Sequence, residues 1–252
     1  MGLVETEGLI LKSYSLAEAD KIVVFLTQHQ GLVRGVAKGA KRLKSKFGGS
    51  LEPFSIVQLE YFQKEERELV SIRQIELVKS YFENASEPEF LRNFAYLAEL
   101  LTEFAPPHDP NEKLYRMAKV CLDAAVEFPE NLESVALYFE LWILRLGGYL
   151  PNWSKCDDCR RELNSSEQTS MQINFHLLCQ NCQKSRNYWV ISPVQRQIFA
   201  SAQQLPPVKF VEYARDKKAE VKEVSNTLKK IISNILGKEI NAEKVLMANS
   251  RI

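Results

Sequence analysis

The chain has 252 residues, of which 45% are hydrophobic and 26% charged, and its formal net charge is +1. That profile suits a soluble globular protein of one large or two to three small domains. No apolar run approaches the roughly 18 residues needed to cross a bilayer, which excludes a membrane-spanning protein. A near-zero net charge says nothing by itself about nucleic acid, so the distribution of charge has to be read instead.

The first eighty residues read as β structure. Short β-branched runs occur at 8–12, 21–27, 31–36, 54–61 and 69–77, and Gln28-His-Gln-Gly31 makes a hairpin turn between the second and third. In the fourth run Ser55, Val57, Leu59 and Tyr61 oppose Phe54, Ile56 and Gln58, giving one mostly apolar face. Five strands over about eighty residues predict a small barrel, with the five-stranded oligonucleotide-binding (OB) fold leading and an SH3-like barrel as the alternative.

Between the third and fourth runs the charge becomes one-sided. Arg34, Lys38, Lys41, Arg42, Lys44 and Lys46 occur with no acid among them, interrupted by Gly35 and Gly39 and followed by Gly48 and Gly49. This composition predicts a mobile cationic loop whose lysines and arginines neutralise phosphates and release counterions, a contact indifferent to base sequence. The plain alternative is a solvated charged loop.

Helices are predicted from Tyr81 onwards. Ser86-Glu-Pro-Glu89 has the form of a capping box, and Phe90, Phe94, Leu97, Leu101 and Phe104 follow at helical spacing until Pro106-Pro107. Asp109-Pro-Asn-Glu112 repeats the start signal ahead of Leu114, Met117, Cys121, Ala125 and Phe128, which makes Cys121 a core residue. A third helix opens at Asn131 and stops at Gly147-Gly148; it is apolar nearly all round and belongs at the centre of a bundle. Beyond residue 190, Ser192-Pro-Val-Gln195 starts a helix that Leu205-Pro-Pro-Val208 breaks. A last amphipathic helix from Val221 points Val224, Leu228, Ile231, Ile235 and Leu236 inward. Its outer face carries Lys217, Lys218, Lys222, Lys229 and Lys230, diluted by Glu220 and Glu223, and reads as solvated surface.

Two thiol pairs stand in the gap between these helices. Cys156-Asp-Asp-Cys159 and Cys179-Gln-Asn-Cys182 are separated by about 19 residues, inside the window of a structural zinc site. Each two-residue gap lets a tight turn offer two sulfurs to one ion, and four thiolates leave no position for water or substrate. Two disulfides are the competing reading. The acidic start of the chain, Glu5 and Glu7 where a secretory leader carries bases, predicts a cytoplasmic, reducing setting that favours metal. The zinc-deaminase pattern is absent, because Lys155 rather than proline precedes Cys156 and no His-x-Glu occurs. His176 lies close enough to substitute as a ligand but reads as an exposed turn residue. The cysteine module thus reads as an insertion within one bundle, and the expected division is 1–80, 81–151, 152–189 and 190–252.

Catalytic signatures are missing. The stretch from Gly35 to Lys41 lacks the spacing of a phosphate-binding loop, and neither a Gly-x-Ser-x-Gly elbow nor a His-Glu-x-x-His pair occurs. His29, His108 and His176 have no partner at dyad spacing, and Asp157 and Asp158 read as turn residues. No catalytic residue is assigned, and the chain is not expected to be an enzyme.

Glu18-Ala-Asp-Lys-Ile22, the run from Gly31 to Arg42 and the run from Lys44 to Phe54 resemble the N-terminal signature of the RecO family of bacterial recombination mediators. The run from Phe139 to Pro151, leading into the first cysteine pair, resembles that family's central helix and zinc entry. The likeness extends over essentially the whole chain and is weakest in the last sixty residues. It implies an α+β protein with an N-terminal OB-fold barrel, then a helical bundle carrying an inserted four-cysteine zinc module. It also implies binding of single- and double-stranded DNA, strand annealing, and action with RecR to help RecA replace single-strand-binding protein on gapped DNA. Contact with the acidic C-terminal tail of single-strand-binding protein and a place in the bacterial cytoplasm at the nucleoid are implied as well. Carried onto this chain, the DNA contacts are Arg34, Lys38, Lys41, Arg42, Lys44 and Lys46, and the structural zinc ligands are Cys156, Cys159, Cys179 and Cys182. Where the family often has a glycine pair before the second cysteine pair, this chain has Asn174-Phe175-His176. The competing readings are a zinc-containing OB-fold protein that binds RNA or serves transcription, which predicts exposed strand aromatics among Phe25, Phe54, Tyr61 and Phe62, and a pure interaction scaffold.

Overall fold

The computed structural model describes residues 2–63, 68–184 and 188–240. The remaining parts of the expected segments, at 64–67, 185–187 and 241–252, lie outside the described residues. Two compact units divide the chain at Pro129/Glu130.

The first unit opens with five strands: β1 (Gly2–Leu16), β2 (Asp20–Thr27), β3 (Gly31–Ala37), β4 (Ser55–Gln63) and β5 (Leu69–Ser80). They close into a barrel in the order β1-β2-β3-β5-β4, the OB-fold arrangement expected, so the SH3-like alternative falls. β1 is longer than its apolar run because it serves two partners. Gly2 to Leu9 pair antiparallel with β4, and Gly8 to Leu16 with β2. Closure depends on the short parallel contact of β3 with β5, centred on Gly35 opposite Val70. A Cβ at Gly35 would lie 2.8 Å from Ile72 Cγ1 and 2.9 Å from Val70 Cγ2, so glycine is what lets the two strands approach. Gly31 ends the predicted hairpin turn with φ of +66°, where the Thr27 hydroxyl donates to its carbonyl at 2.9 Å.

The alternation read in β4 holds. Val57, Leu59 and Tyr61 point into the barrel with Ile10, Val23, Phe25, Val33, Val70, Ile72 and Ile75. Burial pushes the Tyr61 phenol up to about 12. The 17 residues between β3 and β4, 38–54, are a chain of turns with successive i→i+3 hydrogen bonds, and they send Phe47 and Leu51 into the same core. The expected cationic loop is thus a run of turns. The segment is pinned by two apolar side chains that charged and glycine neighbours hide from a composition reading.

Two helices complete this unit, α1 (Pro88–Phe104) and α2 (Glu112–Glu127). The capping box predicted at Ser86 does not form. Pro88 occupies the first helical turn and makes Glu87 the cap, while the Ser86 hydroxyl donates to the Glu83 carbonyl at 2.8 Å. The start of α2 is likewise two residues later than predicted. Asn111 is its cap, accepting the Leu114 amide at 3.0 Å. The predicted faces of both helices are buried except at their ends, where Phe104 and Phe128 are half-buried, and Phe94 of α1 packs on Phe54 with ring centroids 5.0 Å apart. Charge ties the helices to the barrel. Lys12 pairs with Glu99 of α1, and Glu7 accepts from Lys119 at 2.6 Å and the Tyr115 hydroxyl at 2.9 Å, both from α2.

The second unit holds α3 (Leu132–Leu146), the cysteine module with β6 (Thr169–Gln172), β7 (Leu177–Leu178) and β8 (Tyr188–Ile191), then α4 (Pro193–Gln204), α5 (Pro207–Ala214) and α6 (Lys218–Leu236). The central helix is α3, buried on nearly every side as its composition requires and packed by α4, α5 and α6. α4 starts at the motif read for it, and a capping box forms there. Ser192 Oγ accepts the Gln195 amide at 3.2 Å and Gln195 Oε1 accepts the Ser192 amide at 2.6 Å. Among the described residues no helix is long and apolar enough to cross a membrane.

Candidate metal centre and candidate nucleic-acid interface

The cysteine module is built from a hairpin and a small sheet. Lys155 bridges Glu162, the Cys156 amide donates to the Arg161 carbonyl at 3.0 Å, and the Arg160 amide returns to the Cys156 carbonyl at 2.9 Å, so the chain doubles back around Cys156 and Cys159. Arg160 takes φ of +64° to make that return. The second pair leaves β7, the edge of the sheet β7-β6-β8, and turns at once, with the Cys182 amide on the Cys179 carbonyl at 3.1 Å. Asp157 joins the two halves. Its carboxylate accepts the Leu177 amide at 2.7 Å and its own amide donates to the Leu177 carbonyl at 2.8 Å. Asp157 is thus the turn residue expected, and Asp158 is exposed.

All four sulfurs lie within 4.8 Å of one another. Cys159 and Cys179 are 3.9 Å apart, close to the edge of about 3.8 Å that a tetrahedron with metal–sulfur bonds of about 2.3 Å requires. The donor set therefore fits a tetrahedral thiophilic ion and leaves no open position. None of the four is disulfide-bonded. One thiol of the second pair ionises ahead of the other: burial opposes ionisation of Cys179, yet the Cys182 amide and thiol, Arg161 and the Asn181 amide outweigh it and bring that thiol down, while the hydrogen bond to Cys179 holds Cys182 up. The Cys179 amide also reaches Cys156 Sγ at 3.4 Å. His176 is exposed and stands outside the group, as expected. Cys121 is fully buried in α2, far up the scale from an ionised thiol because burial penalises the charge.

Sequence reasoning missed the anchor of this module, Arg196. From α4 its guanidinium donates to the carbonyls of Trp153 at 3.2 Å, Glu167 at 2.9 Å and Leu163 at 3.2 Å, and Trp153 stacks on Phe199 at 4.1 Å. Burial lowers its affinity for a proton without threatening the charge. A single arginine inside a helical pattern carries no signal that could have revealed this.

The six cations are all exposed. Arg34 stands on the outer wall of β3, between Val24 of β2 and Leu69 of β5. The other five ride on the turns of 38–54, which span from the β1–β2 connection to β5. The Lys41 amide donates to the Ala19 carbonyl at 2.9 Å, and the Lys46 ammonium donates to the Arg73 carbonyl. Among the described residues none of the six is in an ion pair. Two nearby acids are engaged elsewhere: Asp20 accepts the Gly39 amide at 2.8 Å, and Glu52 pairs with Lys21 at 3.3 Å. The aromatic residues that base stacking would need are not on display, since Phe25, Phe54 and Tyr61 are buried and Phe62 is half-buried.

A closed OB barrel with a cationic flank, followed by helices that carry a four-thiol metal-type site, defines the class of α+β proteins with an N-terminal OB fold and a metal-type cysteine module. Residues 1–81 match the family described as Recombination protein O N terminal, and residues 94–243 match Recombination protein O C terminal. The DNA repair protein RecO of Koribacter versatilis is 32% identical over 164 residues, covering 64% of this chain and 66% of that protein. That of Geobacter metallireducens is 32% identical over 177 residues, 70% of this chain and 71% of the relative. That of Syntrophus aciditrophicus is 25% identical over 248 residues, 96% and 94%. The chain belongs to the RecO family of DNA repair proteins.

Proposed function

We propose that this protein is a DNA-binding recombination mediator. It anneals complementary strands and, with RecR, helps RecA replace single-strand-binding protein on gapped DNA in the bacterial cytoplasm. One observation carries the reading: the cations at 34, 38, 41, 42, 44 and 46 are exposed, on ordered backbone, and unpaired with any carboxylate among the described residues. Annealing needs no covalent step and no catalytic residue. A cationic surface lowers the repulsion between two phosphate backbones, and base pairing supplies the driving force. Arg34, Lys38, Lys41, Arg42, Lys44 and Lys46 make the backbone contacts. Cys156, Cys159, Cys179 and Cys182 hold a structural zinc ion, whose whole contribution is to fold the module. The acidic tail of single-strand-binding protein docks on the helical parts.

The test is a competition between gapped DNA and structured RNA of equal length, with single-strand-binding protein present. Retention of gapped DNA, with RecR-dependent loading of RecA, is the expected result. Preference for the RNA would replace this reading by an RNA-binding one, and loss of all nucleic-acid binding at moderate salt would leave only a scaffold.

A further inference from the structure

Leu43 is 102% exposed, the most exposed large apolar side chain among the described residues. It is not on a frayed segment. The Ser45 amide donates to the Arg42 carbonyl at 2.9 Å, which closes a turn with Leu43 and Lys44 at its two corners, and the preceding turn closes from Arg42 to Gly39 at 3.1 Å. Phe47 and Leu51, buried in the barrel, fix the same segment a few residues on. An apolar side chain is thus held out in water between two cations, Arg42 and Lys44, that have no ion-pair partner among the described residues.

We propose that Leu43 contacts the bases of a single DNA strand while Arg42 and Lys44 hold the adjoining phosphates. The inference rests on the DNA-binding reading above and deepens it. Charge chooses the partner class, since a polyanion carrying flat apolar faces matches an apolar tip flanked by two positive charges. Magnitude chooses the strand state. Covering one leucine is worth about tenfold in affinity, whereas opening a stacked duplex step costs at least that much. A strand whose bases are already unstacked is therefore the ligand, and the contact biases the protein toward gaps where the phosphate contacts alone are indifferent.

The full-length protein, Leu43→Ser and Leu43→Met are titrated with oligothymidylate and with an abasic strand of equal length, across a salt series. The natural protein and Leu43→Met should favour oligothymidylate by about tenfold. Leu43→Ser should lose that preference with the salt slope unchanged and the melting temperature intact. A Leu43→Ser preference equal to that of the natural protein overturns the proposal. So does Leu43-dependent sedimentation with vesicles of anionic phospholipid in place of a base preference. An Arg42→Ala/Lys44→Ala variant separates the two levels. If its salt slope falls while Leu43→Ser keeps the preference, the base contact alone is wrong; if its slope is unchanged, the cationic reading beneath it is wrong.

Discussion

Ser225 on α6 donates its hydroxyl to Glu140 on α3 at 2.8 Å, and the carboxylate it reaches has 0% exposure to solvent. The Lys229 ammonium lies 3.7 Å from the other carboxylate oxygen and is itself half exposed, so the hydrogen bond and the burial matter more than the ion pair. Glu140→Ala strands both partners and opens space in the middle of the second unit. It is expected to cost about 2–4 kcal/mol in urea unfolding, whereas Glu140→Gln, which keeps an acceptor for Ser225, loses about 1 kcal/mol. Equal losses would show that the carboxamide cannot substitute and that charge governs the site.

The geometry of the four sulfurs predicts one metal equivalent per chain. Cys156→Ser/Cys179→Ser should abolish it, and a strong chelator should shift the emission of Trp153, which sits at the base of the module on Phe199. Full metal content in the double variant would mean that the ion is held elsewhere.

For the cationic flank the informative readout is the slope of log affinity against log salt, not affinity at one condition. Replacing Lys41, Arg42, Lys44 and Lys46 by alanine should flatten that slope on single strands by about 3, at roughly 0.7 per phosphate contact. Each of the four is exposed, and the turns that carry them stay anchored by Phe47 and Leu51. A slope that does not move removes these residues from the interface.

Acid should find the barrel–helix seam early. Burial works against ionised Glu7, but the hydrogen bonds from Lys119 and Tyr115 and the Lys119 charge prevail, and its carboxyl sits below the ordinary 4.5. A depressed folded value means that the stability it contributes is fully present above the unfolded value and is lost as pH falls through the folded one. The loss is therefore expected below about pH 4.5, and Glu7→Gln should flatten the stability curve there. An unaltered acid limb would assign the acid sensitivity to other carboxylates.

Gly35→Ala tests barrel closure. A methyl group 2.8–2.9 Å from Ile72 and Val70 forces β3 and β5 apart and should cost about 1–3 kcal/mol by calorimetry, with the transition of the second unit unmoved.

Much of this architecture was legible because its signals are local. The β4 alternation, the Gly31 turn, the helix start at Ser192–Gln195 and the two cysteine turns each act within a few residues, and each formed as read. What failed were signals overruled by a neighbour. Pro88 displaced the cap predicted at Ser86, and Pro206-Pro207, read only as a break, also starts α5 with proline in its first turn. Phe47 and Leu51 were hidden for a different reason. Their burial depends on the barrel core that all five strands build together, a relationship that no window of sequence contains. Arg196 and Leu43 share that difficulty, one buried by carbonyls distant in sequence, the other exposed by the turns that surround it.

The three carbonyls gathered by Arg196 come from both sides of the thiol hairpin, yet the guanidinium that gathers them belongs to the bundle. A permanent cation sealed beneath the hairpin has nowhere to go if those oxygens drift away. Starving the protein of its ion should therefore not leave a tidy bundle wearing a loose flap. The damage should spread into the opening turn of α4 and its Ser192 cap, making metal supply a condition for the integrity of the whole second unit.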